Sequence, residues 1–161
     1  MALRFLVEEA LTSSISHLTS SILLTAYTNR AVDEICGMLE DAGIDYLRIG
    51  NEASCDPRFA HRLLNRVLAE KPRLDDIRQQ LQEVRVVVST TSMLQSRSFL
   101  LEIKHFSLCI VDEASQILEP NIIGLLSSDS IERFILIGDH KQLPAVVVQP
   151  DVNLNVWCLN E

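Results

Sequence analysis

The sequence predicts an α/β fold in which helices cover both faces of a parallel sheet. The prediction rests on three runs that are almost wholly apolar, residues 84–88, 106–111 and 134–137. Strands that are apolar on both faces are typical of parallel sheets buried between helices. Each run ends in small polar or acidic residues, and the carboxyl ends of parallel strands lie at one edge of a sheet. We therefore expect a ligand site at that edge.

The elements before these runs alternate between helix and strand. Residues 22–24 form a short apolar run that predicts a strand ending at Thr25, and apolar residues between 31 and 39 then return at helical spacing until Gly43. A second short strand is predicted at 46–49. The chain begins with a predicted helix, because apolar residues recur at helical spacing at Leu3, Leu6, Val7, Ala10 and Leu11.

Residues 57–83 are predicted to leave the main sheet as a helical excursion. This segment is charged, and its apolar residues recur at helical spacing on both sides of Pro72, which predicts two solvated helices. No repeat or linker divides the chain. Residues 1–161 are therefore expected to belong to one domain.

Composition narrows the possible functions. The chain has 47% hydrophobic and 22% charged residues, as globular proteins do. Its net charge of -8 argues against nucleic-acid binding through a broad basic surface, so any such contact must be local. The four cysteines have no C-x-x-C spacing, which predicts neither a zinc site nor a disulfide framework. No signal-peptide core and no membrane-spanning run is present, so we expect a cytoplasmic protein with no membrane partner.

The strongest local signal is a pair of adjacent carboxylates, Asp112 and Glu113, directly after the apolar run 106–111. In phosphoryl transfer, a strand-end Asp of this kind holds Mg²⁺ at the phosphates, and a following Glu can take a proton from the attacking water. The structural alternative is that both residues simply begin a helix, where carboxylates favour the positive end of the helix dipole. The pair alone leaves both interpretations open.

A second signal is the polar turn at 138–144, which follows the apolar run 134–137. This turn is expected beside the acidic pair, because parallel strands end at the same edge of the sheet. The side-chain amide of Gln142 both donates and accepts hydrogen bonds, so it suits a water or a terminal phosphate oxygen. The alternative is a Gly-Asp turn made rigid by the proline that follows it.

Three blocks of the chain, taken in order, resemble the first RecA-like domain of superfamily 1 helicases. Residues 25–33, Thr-Ala-Tyr-Thr-Asn-Arg-Ala-Val-Asp, resemble motif Ia of that family. Residues 111–116, Val-Asp-Glu-Ala-Ser-Gln, resemble motif II, and residues 138–144, Gly-Asp-His-Lys-Gln-Leu-Pro, resemble motif III. Three ordered blocks are far more specific than any one of them. The resemblance is to the branch that contains the nonsense-mediated-decay helicase and its relatives.

The resemblance implies a role for each matching residue. Asp112 would coordinate Mg²⁺, Glu113 would activate water, and Asp139 with Gln142 would couple the γ-phosphate of ATP to domain movement. The implied cofactors are ATP and Mg²⁺, and the implied partner is single-stranded nucleic acid, with DNA favoured over RNA. Hydroxyls and backbone amides at strand ends bind phosphates without formal positive charge. The residues expected along the single-strand path are Thr25, Tyr27, Thr28, Asn29, Ser89, Thr90 and Thr91.

The structural alternative for the motif Ia block is a strand-to-helix turn in which Asn29 is the N-cap. Capping and nucleic-acid binding can coexist at the same turn.

The sequence also departs from the family pattern. It contains no G-x-x-x-x-G-K-[ST] segment, the loop that holds the nucleotide phosphates. We therefore expect a RecA-like sheet that is incomplete at the phosphate-loop strand, with residues 134–137 as an exposed apolar edge. A second RecA-like domain is expected in the parent protein, outside these 161 residues. The isolated chain is predicted to be a helicase fragment that is inactive alone.

Two other interpretations remain open at this point. The chain could be a non-enzymatic interaction module derived from a helicase, which would keep a nucleic-acid or protein surface without nucleotide hydrolysis. It could also be an unrelated doubly wound α/β domain, such as a receiver-like module, whose strand-end acids bind Mg²⁺ for another purpose. The coding sequence upstream of Met1 would separate a truncated motor from a decayed module.

Overall fold

The computed structural model describes residues 2–13, 21–68 and 73–139, which form a five-stranded sheet with helices on both faces. All strand pairs are parallel, and the strand order is β2-β3-β1-β4-β5. The predicted α/β class and parallel sheet are confirmed. The strands are β1 Ile22–Ala26, β2 Leu47–Ile49, β3 Val86–Thr90, β4 Leu108–Asp112 and β5 Phe134–Leu136.

The helices are short except for α1, α2 and α4. The α-helices are α1 Ala2–Ser13, α2 Asn29–Asp41, α3 Leu64–Val67, α4 Leu74–Glu83, α5 Thr91–Ser96, α6 Phe99–Ile103 and α7 Glu119–Leu126. The described ranges also contain three 3₁₀ helices, at Glu52–Ser54, Pro57–Arg62 and Ala114–Gln116. No helix in the described ranges is long and apolar enough to cross a membrane.

Successive residues of each strand belong to two different cores, because side chains alternate between the faces of a sheet. One face, here called the α2 face, packs against α1 and α2. Its strand residues include Ile22, Leu24, Val88 and Ile110. The other, here called the α5 face, packs against α4, α5, α6 and α7. Its strand residues include Leu23, Val87, Cys109 and Val111.

Two of the predicted strands are shifted along the chain. The run 84–88 was expected to end before Ser89, but β3 includes Ser89 and Thr90, because its pairing with β1 continues to Ala26. In β4 the strand starts at Leu108, and Phe106 makes only an isolated bridge to Ile131. Both shifts move polar residues from the expected loops into the sheet, namely Ser89 and Thr90 in β3 and Asp112 in β4.

The predicted excursion at 57–83 contains the 3₁₀ helix Pro57–Arg62 and the helices α3 and α4. Its first part lies against the outer side of β2, where Leu63 forms a parallel bridge with Arg48. At the opposite end of the sheet, β5 pairs with β4, and no described residue pairs with its outer side. The side chain of Leu136 in β5 is 52% exposed. Of the expected exposed edge 134–137, Leu136 is exposed and the other three residues are half-buried.

Candidate functional site

The carboxyl edge of the sheet brings together residues from three of the predicted motifs. Asp112, the last residue of β4, pairs in register with Ala26 of β1, and Ala26 pairs with Thr90 of β3. The turn after β1, the end of β3 and the acidic pair therefore lie side by side. This is the arrangement in which open α/β sheets bind ligands.

Glu113 has a left-handed backbone, with φ 52° and ψ 35°. It is the only non-glycine residue with positive φ in the described part of the chain. Its backbone N–H donates to Oδ1 of Asp112 at 3.0 Å. Such a conformation costs about 1–3 kcal/mol and persists only where the surroundings impose it. Glu113 is followed by a single 3₁₀ turn and makes no side-chain cap, so the acidic pair does not begin an α-helix.

The surroundings that impose this conformation come from the end of β5. The backbone N–H of Ile137 donates to the carbonyl of Val111 at 2.8 Å, and the N–H of Ala114 donates to the carbonyl of Ile137 at 2.8 Å. At Gly138 a Cβ atom would lie 2.8 Å from the backbone nitrogen of Ser115. Only glycine allows this close approach. The motif II turn and the start of motif III are thus packed as one unit.

The two motif III residues that were predicted to respond to the nucleotide, Asp139 and Gln142, follow Gly138 in the sequence. Asp139 is exposed and lies next to Gly138. Gln142 lies outside the described residues, so its proposed contact with a phosphate stays a prediction. The predicted closeness of motif II and motif III holds for the residues that the structure describes.

The charges around Glu113 make its carboxyl group easier to protonate than an exposed glutamate. Burial raises the pKa of Glu113, and the neighbouring carboxylates of Asp112 and Glu34 raise it further, while the guanidinium of Arg30 lowers it. A carboxylate with a raised pKa is a better general base near neutral pH. Arg30 and Glu34 form an exposed ion pair on α2, with 3.3 Å between Nε and Oε1. Sequence reasoning did not single out these two residues, although Arg30 lies inside the motif Ia block.

The turn between β1 and α2 carries the exposed part of the predicted single-strand path. Thr28, not Asn29, is the N-cap of α2, because its Oγ1 accepts a hydrogen bond from the backbone N–H of Ala31 at 3.1 Å. The prediction that Asn29 caps the helix is therefore wrong. Asn29 is the first residue of α2 and is exposed, while Tyr27 is half-buried and packs against the core of the α5 face.

The other predicted path residues are buried beneath this turn. The hydroxyl of Ser89 donates to the carbonyl of Ile49 at 3.0 Å, and Oγ1 of Thr90 caps α5 by accepting from the N–H of Met93 at 3.2 Å. The hydroxyls of Thr25 and Thr91 are buried, and neither has a hydrogen-bond partner among the described residues. Ser89 and Thr90 therefore hold the end of β3 to β2 and to the start of α5.

The acidic pair fits the needs of a magnesium ion that is held mainly by a nucleotide. Mg²⁺ takes oxygen ligands, and proteins usually bind it through one or two carboxylates together with substrate phosphates. Asp112 is only half-buried, and one of its two oxygens is used by the N–H of Glu113. Within the described ranges, no group of three or more His, Cys, Asp or Glu side chains is arranged to hold a metal ion alone. Asp112 is therefore a suitable partial ligand.

Comparison with known proteins agrees with this arrangement. Residues 63–150 match the family model described as AAA domain. The chain is 39% identical over 136 residues to the DNA replication ATP-dependent helicase/nuclease JHS1 of Arabidopsis thaliana, covering 84% of this chain and 10% of that protein. It is 36% identical over 129 residues to the human DNA replication ATP-dependent helicase/nuclease DNA2, covering 80% of this chain and 12% of that protein. The chain thus spans about a tenth of the length of these relatives.

Solved structures with low sequence identity share the fold. The helicase domain of Pyrococcus furiosus Hef matches with a TM-score of 0.55 and 16% identity, over 88% of this chain and 25% of that chain. The arterivirus nonstructural protein 10 helicase, solved in complex with DNA, matches with a TM-score of 0.53 and 16% identity, over 89% of this chain and 27% of that chain. From the family match, the relatives and the fold together, the chain belongs to the AAA domain family and is a RecA-like domain of a superfamily 1 helicase.

Proposed function

We propose that this chain is part of the motor of an ATP-dependent DNA helicase, in which hydrolysis of Mg²⁺-ATP drives movement along a single strand. The observation that carries the proposal is the acidic pair at the end of β4, with Glu113 held in a left-handed conformation by the end of β5. The relatives are named DNA replication ATP-dependent helicase/nucleases, which supports DNA over RNA. Membership of the branch that contains the nonsense-mediated-decay helicase stays a prediction.

Each residue of the edge has a distinct role in this proposal. Asp112 would hold Mg²⁺ through a carboxylate oxygen, and Glu113 would take the proton of the attacking water. Mg²⁺-ATP, when bound, supplies the phosphoanhydride that is hydrolysed. Asp139 and Gln142 respond to the terminal phosphate. Because the turn of Glu113 and the start of motif III are packed together, a change at one is transmitted to the other through backbone hydrogen bonds.

The single strand is proposed to cross the turn between β1 and α2. Tyr27, Thr28 and Asn29 offer an aromatic ring, backbone amides and a side-chain amide on the accessible side of this turn. The hydroxyls of Ser89 and Thr90 support the path by fixing the backbone at the end of β3, and Thr25 and Thr91 are buried next to them. Neutral groups of this kind bind phosphates locally, which is compatible with the net charge of -8.

The isolated chain is proposed to lack hydrolysis by itself. Its 161 residues contain no glycine-rich phosphate loop, and superfamily 1 motors complete the ATP site with a second RecA-like domain. Both parts would come from the rest of the parent protein. A cytoplasmic location and the absence of a membrane partner also stay predictions.

The test is ATP hydrolysis by the full-length gene product that contains this chain, with Glu113→Gln as the variant. Loss of a general base is expected to lower the hydrolysis rate by at least about 100-fold, while ATP still binds. Glu119→Gln is the matched control, because Glu119 is an exposed carboxylate at the start of α7 and is expected to leave the rate unchanged. A Glu113→Gln protein that hydrolyses ATP at the original rate would show that Glu113 is not the general base.

The second candidate is a non-enzymatic module that binds single-stranded DNA. It is favoured by the missing phosphate loop within these 161 residues. A full-length gene product that binds single-stranded DNA but neither binds nor hydrolyses ATP would establish this alternative in place of the motor.

A further inference from the structure

Arg48 is a buried cation in the middle of β2. Its neighbours Leu47 and Ile49 belong to the core of the α5 face, so Arg48 points to the α2 face. Its side chain is only 1% exposed, and it is the largest fully buried side chain in the part of the chain that the structure describes. A charge this deeply buried needs partners with good geometry, since desolvation penalises it heavily.

Arg48 is bound directly to α2 and, through Asp33, to the residue that precedes the excursion. Nη1 of Arg48 forms an ion pair with Oδ1 of Asp33 on α2. The same Asp33 oxygen accepts a hydrogen bond from the backbone N–H of Asp56 at 3.3 Å, and Asp56 caps the 3₁₀ helix Pro57–Arg62. One buried guanidinium therefore connects β2, α2 and the excursion. Its Nε is buried without a hydrogen-bond partner, so the pairing with Asp33 carries most of the compensation.

Stability alone does not account for this arrangement. A well-packed apolar replacement of a buried ion pair is often as stable as the pair itself. The helix α2 is already attached to the sheet by the apolar stripe Ala31, Val32, Ile35, Cys36 and Leu39. Apolar contacts have no preferred direction, whereas a charged hydrogen bond fixes both distance and angle. The ion pair between Arg48 and Asp33 is therefore a contact that can limit how far α2 slides and rotates on the sheet.

The position of α2 matters because its first residues form the proposed single-strand contact. Asp33 lies one helical turn after Asn29, on the same helix that starts at the Thr28 cap. A shift of the helix at Asp33 therefore moves the whole turn Tyr27–Asn29 relative to β3 and β4.

We propose that Arg48 is a positioning residue, which through Asp33 fixes α2 on the sheet and thereby holds the turn between β1 and α2 in the geometry that binds single-stranded DNA. The DNA part of this inference rests on the proposed function. The positioning part does not, because it concerns only α2 and the sheet.

The test compares three variants of the gene product that contains this chain. Arg48→Met with Asp33→Leu replaces the pair by apolar side chains, and Arg48→Met alone removes the cation. Lys104→Met is the matched control, because Lys104 is another buried cation, whose Nζ donates to the carbonyls of Leu81 and Val84, away from α2. The readouts are thermal melting, amide hydrogen exchange in peptides covering 28–41, and affinity for a fluorescent oligothymidylate.

The double variant is expected to melt close to the original protein. Its α2 amides should exchange about tenfold faster, and its affinity for the oligothymidylate should fall about tenfold. Lys104→Met is expected to lower the melting temperature while leaving both α2 exchange and DNA affinity unchanged. A double variant with unchanged α2 exchange and unchanged affinity would overturn the inference.

Other outcomes are also decisive. If the original protein does not bind the oligothymidylate, the proposed function fails in this respect, and hydrogen exchange alone decides the role of Arg48. If the double variant does not fold, Arg48→Lys decides, because it keeps the charge but loses the planar guanidinium. Faster exchange in α2 of Arg48→Lys supports the inference, and unchanged exchange overturns it.

Discussion

β2 and β5 are both three-residue strands at the ends of one sheet, but only β2 is covered. All three residues of β2 are buried, whereas Leu136 of β5 is exposed and Phe134 and Ile135 are half-buried. Beyond β2 lies the excursion, with Leu63 bridged to Arg48. Beyond β5 lies no described residue that pairs with it. Within the part of the chain that the structure describes, the sheet is thus covered at the β2 end and open at the β5 end.

The difference between the two ends of the sheet matters because the candidate catalytic residues lie near only one of them. The candidate carboxylates lie at the end of β4, next to the open strand, and their turn is held by β5. An open strand presents unpaired backbone groups that can accept another strand. The covered end is where α2 is fixed, and the open end is where the ATP site is proposed. Substitutions at the two ends should therefore have different consequences.

The largest expected effect is at the covered end. Leu63→Ala removes a fully buried side chain from the core of the α2 face. The substitution should lower the free energy of unfolding by about 2–5 kcal/mol. Leu136→Ala at the open end is the control and should change it by less than about 0.5 kcal/mol. Chemical denaturation measures both. Equal losses in the free energy of unfolding would mean that Leu63 and Leu136 contribute equally to stability and that both ends of the sheet are buried to the same extent.

A smaller effect is expected where the open strand meets the acidic turn. Gly138→Ala would place a Cβ 2.8 Å from the backbone of Ser115, so it should cost about 1–3 kcal/mol of unfolding free energy. Gly124→Ala is the matched control, since a Cβ there meets no atom within 4 Å, and it should stabilise α7 by roughly 0.5–1 kcal/mol. A Gly138→Ala protein as stable as Gly124→Ala would contradict the packing of the two motifs as one unit.

The smallest change in stability is expected at the exposed edge itself. The isolated chain should self-associate, because an uncovered apolar strand pairs with other strands, and Leu136→Lys should reduce this by adding a charge to the edge. The free energy of unfolding should change by less than about 0.5 kcal/mol. Sedimentation velocity measures the association. A monodisperse monomer of the original chain would show that this edge does not drive pairing.

Much of the fold was predictable because buried parallel strands have an unmistakable apolar pattern. The same pattern located Asp112 and Glu113 at the sheet edge. The ends of the strands were less predictable. Ser89 and Thr90 extend β3 because their backbone pairs with β1 and their hydroxyls form hydrogen bonds with backbone groups of the protein. The cap of α2 was assigned to Asn29 instead of Thr28, since both residue types are common caps and only the backbone geometry separates them.

Other features depend on contacts between distant parts of the chain, and no local pattern predicts them. The left-handed backbone of Glu113 is imposed by β5, about 20 residues later in the sequence. Arg48 was included in a short strand without any special role, because its partner Asp33 lies on α2 and is itself bound by the backbone N–H of Asp56. Residues of this kind become visible only when the fold brings them together.

The most direct test of the motor assignment is the rate of ATP hydrolysis by the full-length gene product, measured against the concentration of single-stranded DNA. The rate is expected to rise with DNA, and Asn29→Ala should shift the half-saturating DNA concentration without changing the rate in the absence of DNA. Such a result would link the turn after β1 to the carboxylates after β4. A hydrolysis rate that is the same at every DNA concentration would contradict the proposed coupling.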